Sequence, residues 1–183
     1  MLDNFLIIAA LAGRVCLGLV FALAAIQKIR HWRVLEGVIS NYRLLPDALI
    51  KPAALLLPPV ELLLGGLLLA GVVPAVVAVG GMALLLLFAA AMAVNIRRGR
   101  SHIDCGCHQS FLRQTLKPAL VFRNVGLTFL LIPVELVGAG RSTALWPIGL
   151  GAGLSFFLSY LLINAIAALP SLDQQPFDAG VLS

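Results

Sequence analysis

Cys105 and Cys107 stand one glycine apart in the polar segment 101–110, SHIDCGCHQS, with His102 and His108 on either side and Asp104 just before them. A disulfide needs Cα atoms about 4.4–6.8 Å apart. Residues spaced i, i+2 meet that only where the backbone bends, and Gly106, having no Cβ, makes the bend available. The small ring so closed is strained, and strained disulfides are the easily reduced, labile or catalytic kind. Arg100, His102 and His108 favour a thiolate while Asp104 opposes it, and the thiolate is the nucleophile. The spacing therefore suits thiol–disulfide exchange, with Cys105 and Cys107 as the reacting pair and His102, Asp104 and His108 as tuning groups. A second reading is a zinc site built from His102, Cys105, Cys107 and His108, although one residue between the cysteines is shorter than the usual two to four. A third is a pair of ordinary loop cysteines. All three stand on residue types and spacing alone.

The elements that carry this loop are set by an unusual composition. Of 183 residues 61% are hydrophobic and 11% charged, against about 25% charged in soluble domains. Apolar runs near 20 residues are the length of membrane-crossing helices, and five are readable at 5–27, 52–72, 74–96, 118–137 and 145–169. The expected fold is an all-α polytopic bundle over residues 1–170, with four packed helices, a fifth alongside and a polar tail over 171–183. Spans two and three must form a tight antiparallel hairpin, and Pro58-Pro59 should bend span two. Gly65-Gly66, Gly80-Gly81, Gly149, Gly151 and Gly153 are candidates for close helix contacts. No cleavable signal peptide is expected, since the amino terminus carries Asp3 and the first apolar run is too long.

The net charge of +5 belongs to loops. Lys28, Arg30, Arg33, Arg43 and Lys51 fall between spans one and two, and Arg97, Arg98, Arg100, Arg113 and Lys117 between spans three and four. The positive-inside rule makes that face cytoplasmic, which puts the amino terminus in the periplasm and the carboxyl terminus inside. No basic segment with interleaved aromatics stands apart from the spans, so nucleic acid is excluded as a partner and the lipid bilayer takes its place.

Two charges fall inside spans. Arg14 and Glu61 both come out near the midplane when counted from the ends of their spans, where a lone charge is costly and usually pairs. An Arg14–Glu61 bridge is the expectation, with a polar pocket for a quinone head group or a proton path as the sharper alternative. Arg123 can snorkel to the basic edge, Glu135 lies near the opposite edge, and Asn124 and Asn164 can add interhelical hydrogen bonds. Cys16 reads as a small buried core residue.

With these residues in place, the chain resembles the MauE family of methylamine-utilisation membrane proteins, related to the DoxX/DoxD group. The likeness rests on Asp104-Cys105-Gly106-Cys107 after a basic helix end, on Arg14…Lys28 in the first span, and on Tyr42-Arg43-Leu44-Leu45-Pro46 followed by Glu61. Where many relatives continue Cys-Gly-Cys with Phe-Gly, this chain has His108-Gln109. The resemblance implies processing, transport or disulfide maturation of the small subunit of methylamine dehydrogenase, with a thioredoxin-like MauD-type partner. A non-catalytic scaffold docking that partner or the client is the other class of function. The DoxD-like relatives imply a third, a quinone-linked subunit. Such a client is periplasmic, whereas the loop charges start the cysteine pair on the cytoplasmic side. Either electrons cross the bundle, or the pair folds into the membrane, or the span count is off by one.

Overall fold

The computed structural model describes residues 2–100, 116–137 and 145–168, and these form helices joined by short turns, without strands among them. The elements are α1 (Leu2–Arg30), α2 (Trp32–Tyr42), α3 (Asp47–Ala70), α4 (Pro74–Arg97), α5 (Pro118–Phe129), α6 (Ile132–Val137) and α7 (Trp146–Ala168). Five segments are long and apolar enough to cross a bilayer, with α5 and α6 together making one of them. Their outer surfaces are apolar as well: Leu55, Leu63, Val76, Leu158 and Ile163 are all exposed. A surface this apolar over five spans of membrane-crossing length suits lipid as the solvent, so the expected all-α polytopic membrane bundle is what the chain forms.

α1 is the axis of the bundle, with α3 and α7 laid along it and α5–α6 on a further side, while α4 lies mainly on α5. Small residues set these approaches. A Cβ at Gly65 would lie 2.8 Å from the Gly18 carbonyl oxygen and 2.9 Å from the Ala22 nitrogen, so α1 and α3 cross backbone to backbone. On α7, a Cβ at Gly153 would lie 2.9 Å from the Ala12 carbonyl oxygen, and Gly149 meets Leu11. Of the glycines expected at contacts, Gly66 and Gly151 face open space. Gly13 and Gly18, not singled out from the sequence, are at contacts instead. The interior of this region is sealed by Leu17, Phe21, Leu68, Ala78 and Leu131, and Cys16 packs among them, 1% exposed.

Helix ends follow local chemistry. Gly71, at φ 71°, stops α3: its N–H reaches the Leu67 and Leu68 carbonyls, and the Val72 N–H reaches Leu67 O at 3.2 Å. That is the Schellman arrangement, which favours glycine at the left-handed position. Pro74 then opens α4 after a three-residue turn, the tight hairpin the sequence implied. α3 is helical through Pro52, Pro58 and Pro59.

Two features depart from the sequence reading. The connection between the first two spans is largely helix: α2 carries Leu35, Val38, Ile39 and Tyr42 on its inward face, a stripe at i, i+3, i+4 and i+7. Only His31 separates it from α1. The fourth span is also broken at Leu130-Leu131. Pro133 has no N–H to bond to Phe129 O and its ring crowds that carbonyl, so α5 ends at Phe129.

Candidate functional site

His102, Asp104, Cys105, Cys107 and His108 lie outside the described residues, but both attachments of their loop are defined. α4 ends in a second Schellman arrangement: Gly99, at φ 72°, donates to Ile96 O, and the Arg100 N–H reaches Asn95 O, both at 3.0 Å. Arg98 donates to the Arg43 carbonyl at 3.4 Å, tying this end of α4 to the end of α2. On the far side of the loop Leu116 is buried and packs with Met92 and Leu120, against Tyr42, Phe88 and Ile96. Lys117 and Pro118 then start α5, with the proline in the first turn where its missing N–H costs nothing. The thiol loop is thus tethered at both ends to one corner of the basic face.

Below that corner is the buried charge pair. Glu61 is 1% exposed and Lys28 8% exposed, and the Lys28 Nζ donates to Glu61 Oε1. The ammonium also sits 5.2 Å from the centre of the Phe88 ring, a cation–π distance. Three helices converge here: α1 supplies the cation, α3 the carboxylate and α4 the ring. The pairing satisfies the requirement that intramembrane charges be matched, but not with the expected partner.

The Arg14–Glu61 bridge is therefore corrected. Arg14 Nε donates to Leu68 O at 3.1 Å, and its guanidinium packs against Gly71. It gives the Leu68 carbonyl a second donor beside the Gly71 N–H, at the end of α3 that carries the negative end of the helix dipole. Leu68 lies two turns beyond Glu61 on α3, about 10 Å along the axis. Equal depths had been inferred from equal counts inside two spans. The Gly18–Gly65 crossing instead slides α1 along α3, so Arg14 reaches the hairpin end and Lys28 comes level with Glu61. Lys28, counted among the basic loop residues in the sequence, lies in the last turn of an apolar helix, and that place was the signal for it.

Elsewhere, Arg123 Nη1 donates to Asn164 Oδ1 at 2.5 Å and stacks over Tyr160, linking α5 to α7. Asn164 thus makes the interhelical bond expected of it, with Arg123 as its partner.

A five-span helical membrane protein, with a charge pair sealed in its interior and a cysteine-bearing segment joined at both ends to the same corner of the bundle, is the class these features define. Residues 6–140 match the family described as methylamine utilisation protein MauE. The chain is 38% identical over 161 residues to methylamine utilization protein MauE of Paracoccus denitrificans, covering 86% of this chain and 87% of the relative. The protein of the same name from Paracoccus versutus is 37% identical over 173 residues, covering 93% and 92%. That from Methylorubrum extorquens is 42% identical over 114 residues, covering 62% and 61%. The chain belongs to the MauE family. No solved structure matches it.

Proposed function

We propose that this protein serves methylamine utilisation as a membrane accessory in maturing the small subunit of methylamine dehydrogenase, exchanging electrons through Cys105 and Cys107. Family membership supports the pathway. The observation that supports the thiol reading is the double tether: a Schellman stop at Gly99 and the buried Leu116 fix, at one corner of the bundle, the two points between which the segment carrying Cys-Gly-Cys runs. Fixed attachment points keep the segment at one place on the membrane surface, where a partner's disulfide can meet it. In the exchange, a thiolate of one cysteine attacks a disulfide of a thioredoxin-like MauD-type partner or of the client. A mixed disulfide forms, and the second cysteine then displaces the partner's thiolate. The pair is left oxidised and the partner reduced by two electrons, and the reverse sequence runs the other way.

The basic loops face the cytoplasm of the inner membrane in this proposal, with Leu2 at the periplasmic end and Ala168 at the cytoplasmic end. A reporter fused after Arg113 reads the orientation directly, and periplasmic activity there overturns it. The function is tested by replacing Cys105 and Cys107 with serine in a strain growing on methylamine. The expected result is a normal amount of this protein with loss of mature, fully disulfide-bonded small subunit. Normal maturation in the double variant defeats the redox reading and leaves a scaffold that docks the partner or client. Impermeant thiol labelling of intact cells then reports the face on which the pair works.

A further inference from the structure

A cavity of about 260 Å³ lies between α2, α3 and α4 at the basic end of the bundle. Its lining begins where α2 hands over to α3, at Tyr42, Leu44 and Leu45, and reaches inward to Leu57 on α3 and Leu87 on α4. Leu57 is ten residues from the start of α3 at Asp47, and Leu87 is ten from the end of α4 at Arg97. At the rise of an α-helix, both positions lie about 15 Å in from the basic face. The cavity is therefore long and narrow, runs along the helices and has room for one hydrocarbon chain. Its flank is open to lipid: Leu44 is 39%, Leu45 40% and Leu87 60% exposed.

The interior selects hydrocarbon. Lys28 and Tyr42 apart, every lining side chain is apolar, and the Lys28 ammonium is already held by Glu61 and the Phe88 ring. A polar guest would lose its hydration there and gain little in return. A void with such walls forfeits dispersion contacts on every side. In a bilayer the abundant hydrocarbon of matching shape is an acyl chain lying along the helices.

The mouth adds charge. Arg43, at φ 47° in the left-handed position that ends α2, stands between the lining residues Tyr42 and Leu44. Arg98 Nη1 donates to the Arg43 carbonyl at 3.4 Å, which brings a second guanidinium to the same place. Both residues are exposed, and among the described residues neither is in an ion pair. Asp47 is the carboxylate next along the chain, and the exposed Lys51 and Arg97 outweigh it. A guanidinium fork matches phosphate oxygens, and anionic headgroups gather at clusters of Lys and Arg beside a span. An apolar slot that opens beneath two such guanidiniums fits the two ends of one lipid molecule.

We propose that this cavity holds one acyl chain of an anionic phospholipid from the leaflet on the basic side, with the headgroup phosphate on Arg43 and Arg98. The second chain stays in the bilayer. The bound lipid joins α2 to α3 and α4 where the helices themselves part. The site does not rest on the thiol chemistry proposed above and stands or falls separately from it.

The test uses the full chain, delipidated in a neutral detergent and titrated with dioleoyl phosphatidylglycerol or dioleoyl phosphatidylcholine in mixed micelles. The readouts are the thermal unfolding midpoint and the lipid retained in native mass spectrometry. The anionic lipid should stabilise saturably, with one molecule retained. It should bind at least about tenfold tighter than the zwitterionic one, the ratio expected of two basic side chains at a net negative headgroup. Dihexanoyl phosphatidylglycerol has the same headgroup but chains too short to reach Leu57, and should bind at least about tenfold more weakly than the dioleoyl form. Arg43→Gln combined with Arg98→Gln should bring the two dioleoyl lipids to equal affinity. Ala91→Phe fills the cavity and should lose the retained lipid, and Ala53→Leu fills it from the α3 wall should the first variant fold poorly. Equal binding of the two dioleoyl lipids by the unaltered protein, equal binding of the short-chain form, an undiminished preference in the double arginine variant, or full retention by a folded cavity-filled variant each overturns the proposal.

Discussion

At the hairpin end of the bundle α1 and α3 touch through glycine, and Arg14 is occupied with the carbonyls that end α3. At the basic end the helices part: α1 gives way to α2, α3 and α4 separate, and a cavity opens under Lys28. The first region is held by shape and leaves no room. The second is joined through an ion pair, the Arg98–Arg43 hydrogen bond and a small cluster around Leu116, and leaves room for another molecule. In lipid, where hydrophobic drive between helices is absent, these are two different ways of joining helices. The contrast suggests a division between a rigid half and a half that can accept a guest.

The largest effect should come from breaking the ion pair by halves. Lys28→Met strands Glu61 in the interior, and stranding a buried charge costs about 3–5 kcal/mol. The amount of monodisperse protein extracted from membranes should fall sharply, and adding Glu61→Gln should restore much of it. The coupling should appear in a Lys28/Glu61 double-mutant cycle and be absent from an Arg14/Glu61 cycle, where losses should add to within about 0.5 kcal/mol. Strong coupling in the second cycle would mean that the register drawn here is wrong.

Next in size is Gly65→Val, which puts branched carbons where the Gly18 carbonyl and Ala22 nitrogen already sit. Overpacking of this kind costs about 1–3 kcal/mol, read as a lower unfolding midpoint in detergent. Gly66→Val, one residue on and facing open space, should leave that midpoint nearly unchanged, and an equal loss at both positions would erase the distinction between the two faces. Arg14→Gln should be milder than either Lys28→Met or Gly65→Val, about 1 kcal/mol, since it removes one hydrogen bond and a favourable charge at a helix end. An effect as large as that of Lys28→Met would show that Arg14 holds more than the α3 terminus.

The spans were legible because a bilayer demands about twenty apolar residues in a row, and little else in a sequence looks like that. The α3–α4 hairpin followed from the shortness of its turn. α2 was not read because eleven residues with an apolar stripe lack the length of a span and lie among basic residues that suggest a loop. The break before Pro133 was present in the sequence but hidden inside an apolar run of the right length. The charges were misassigned for a different reason. Depth along a helix can be counted, but the sliding of one helix on another is set by which small residues meet, and Gly18 gave no more signal than any other glycine. Of the described site, Glu61 was legible as a carboxylate inside an apolar span, whereas Lys28 and its cavity required the crossing to be known.

The ion pair also has a place in time. The chain is made from its amino terminus, and Lys28 precedes Glu61 by 33 residues. When α3 leaves the ribosome with a carboxylate near its middle, α1 has already been synthesised with the matching ammonium near its end. A growing chain that met the carboxylate first would have to hold it in hydrocarbon alone or delay insertion until a partner arrived. With this order of synthesis, α1 can receive α3 as it enters the membrane, and the third helix need never cross unescorted.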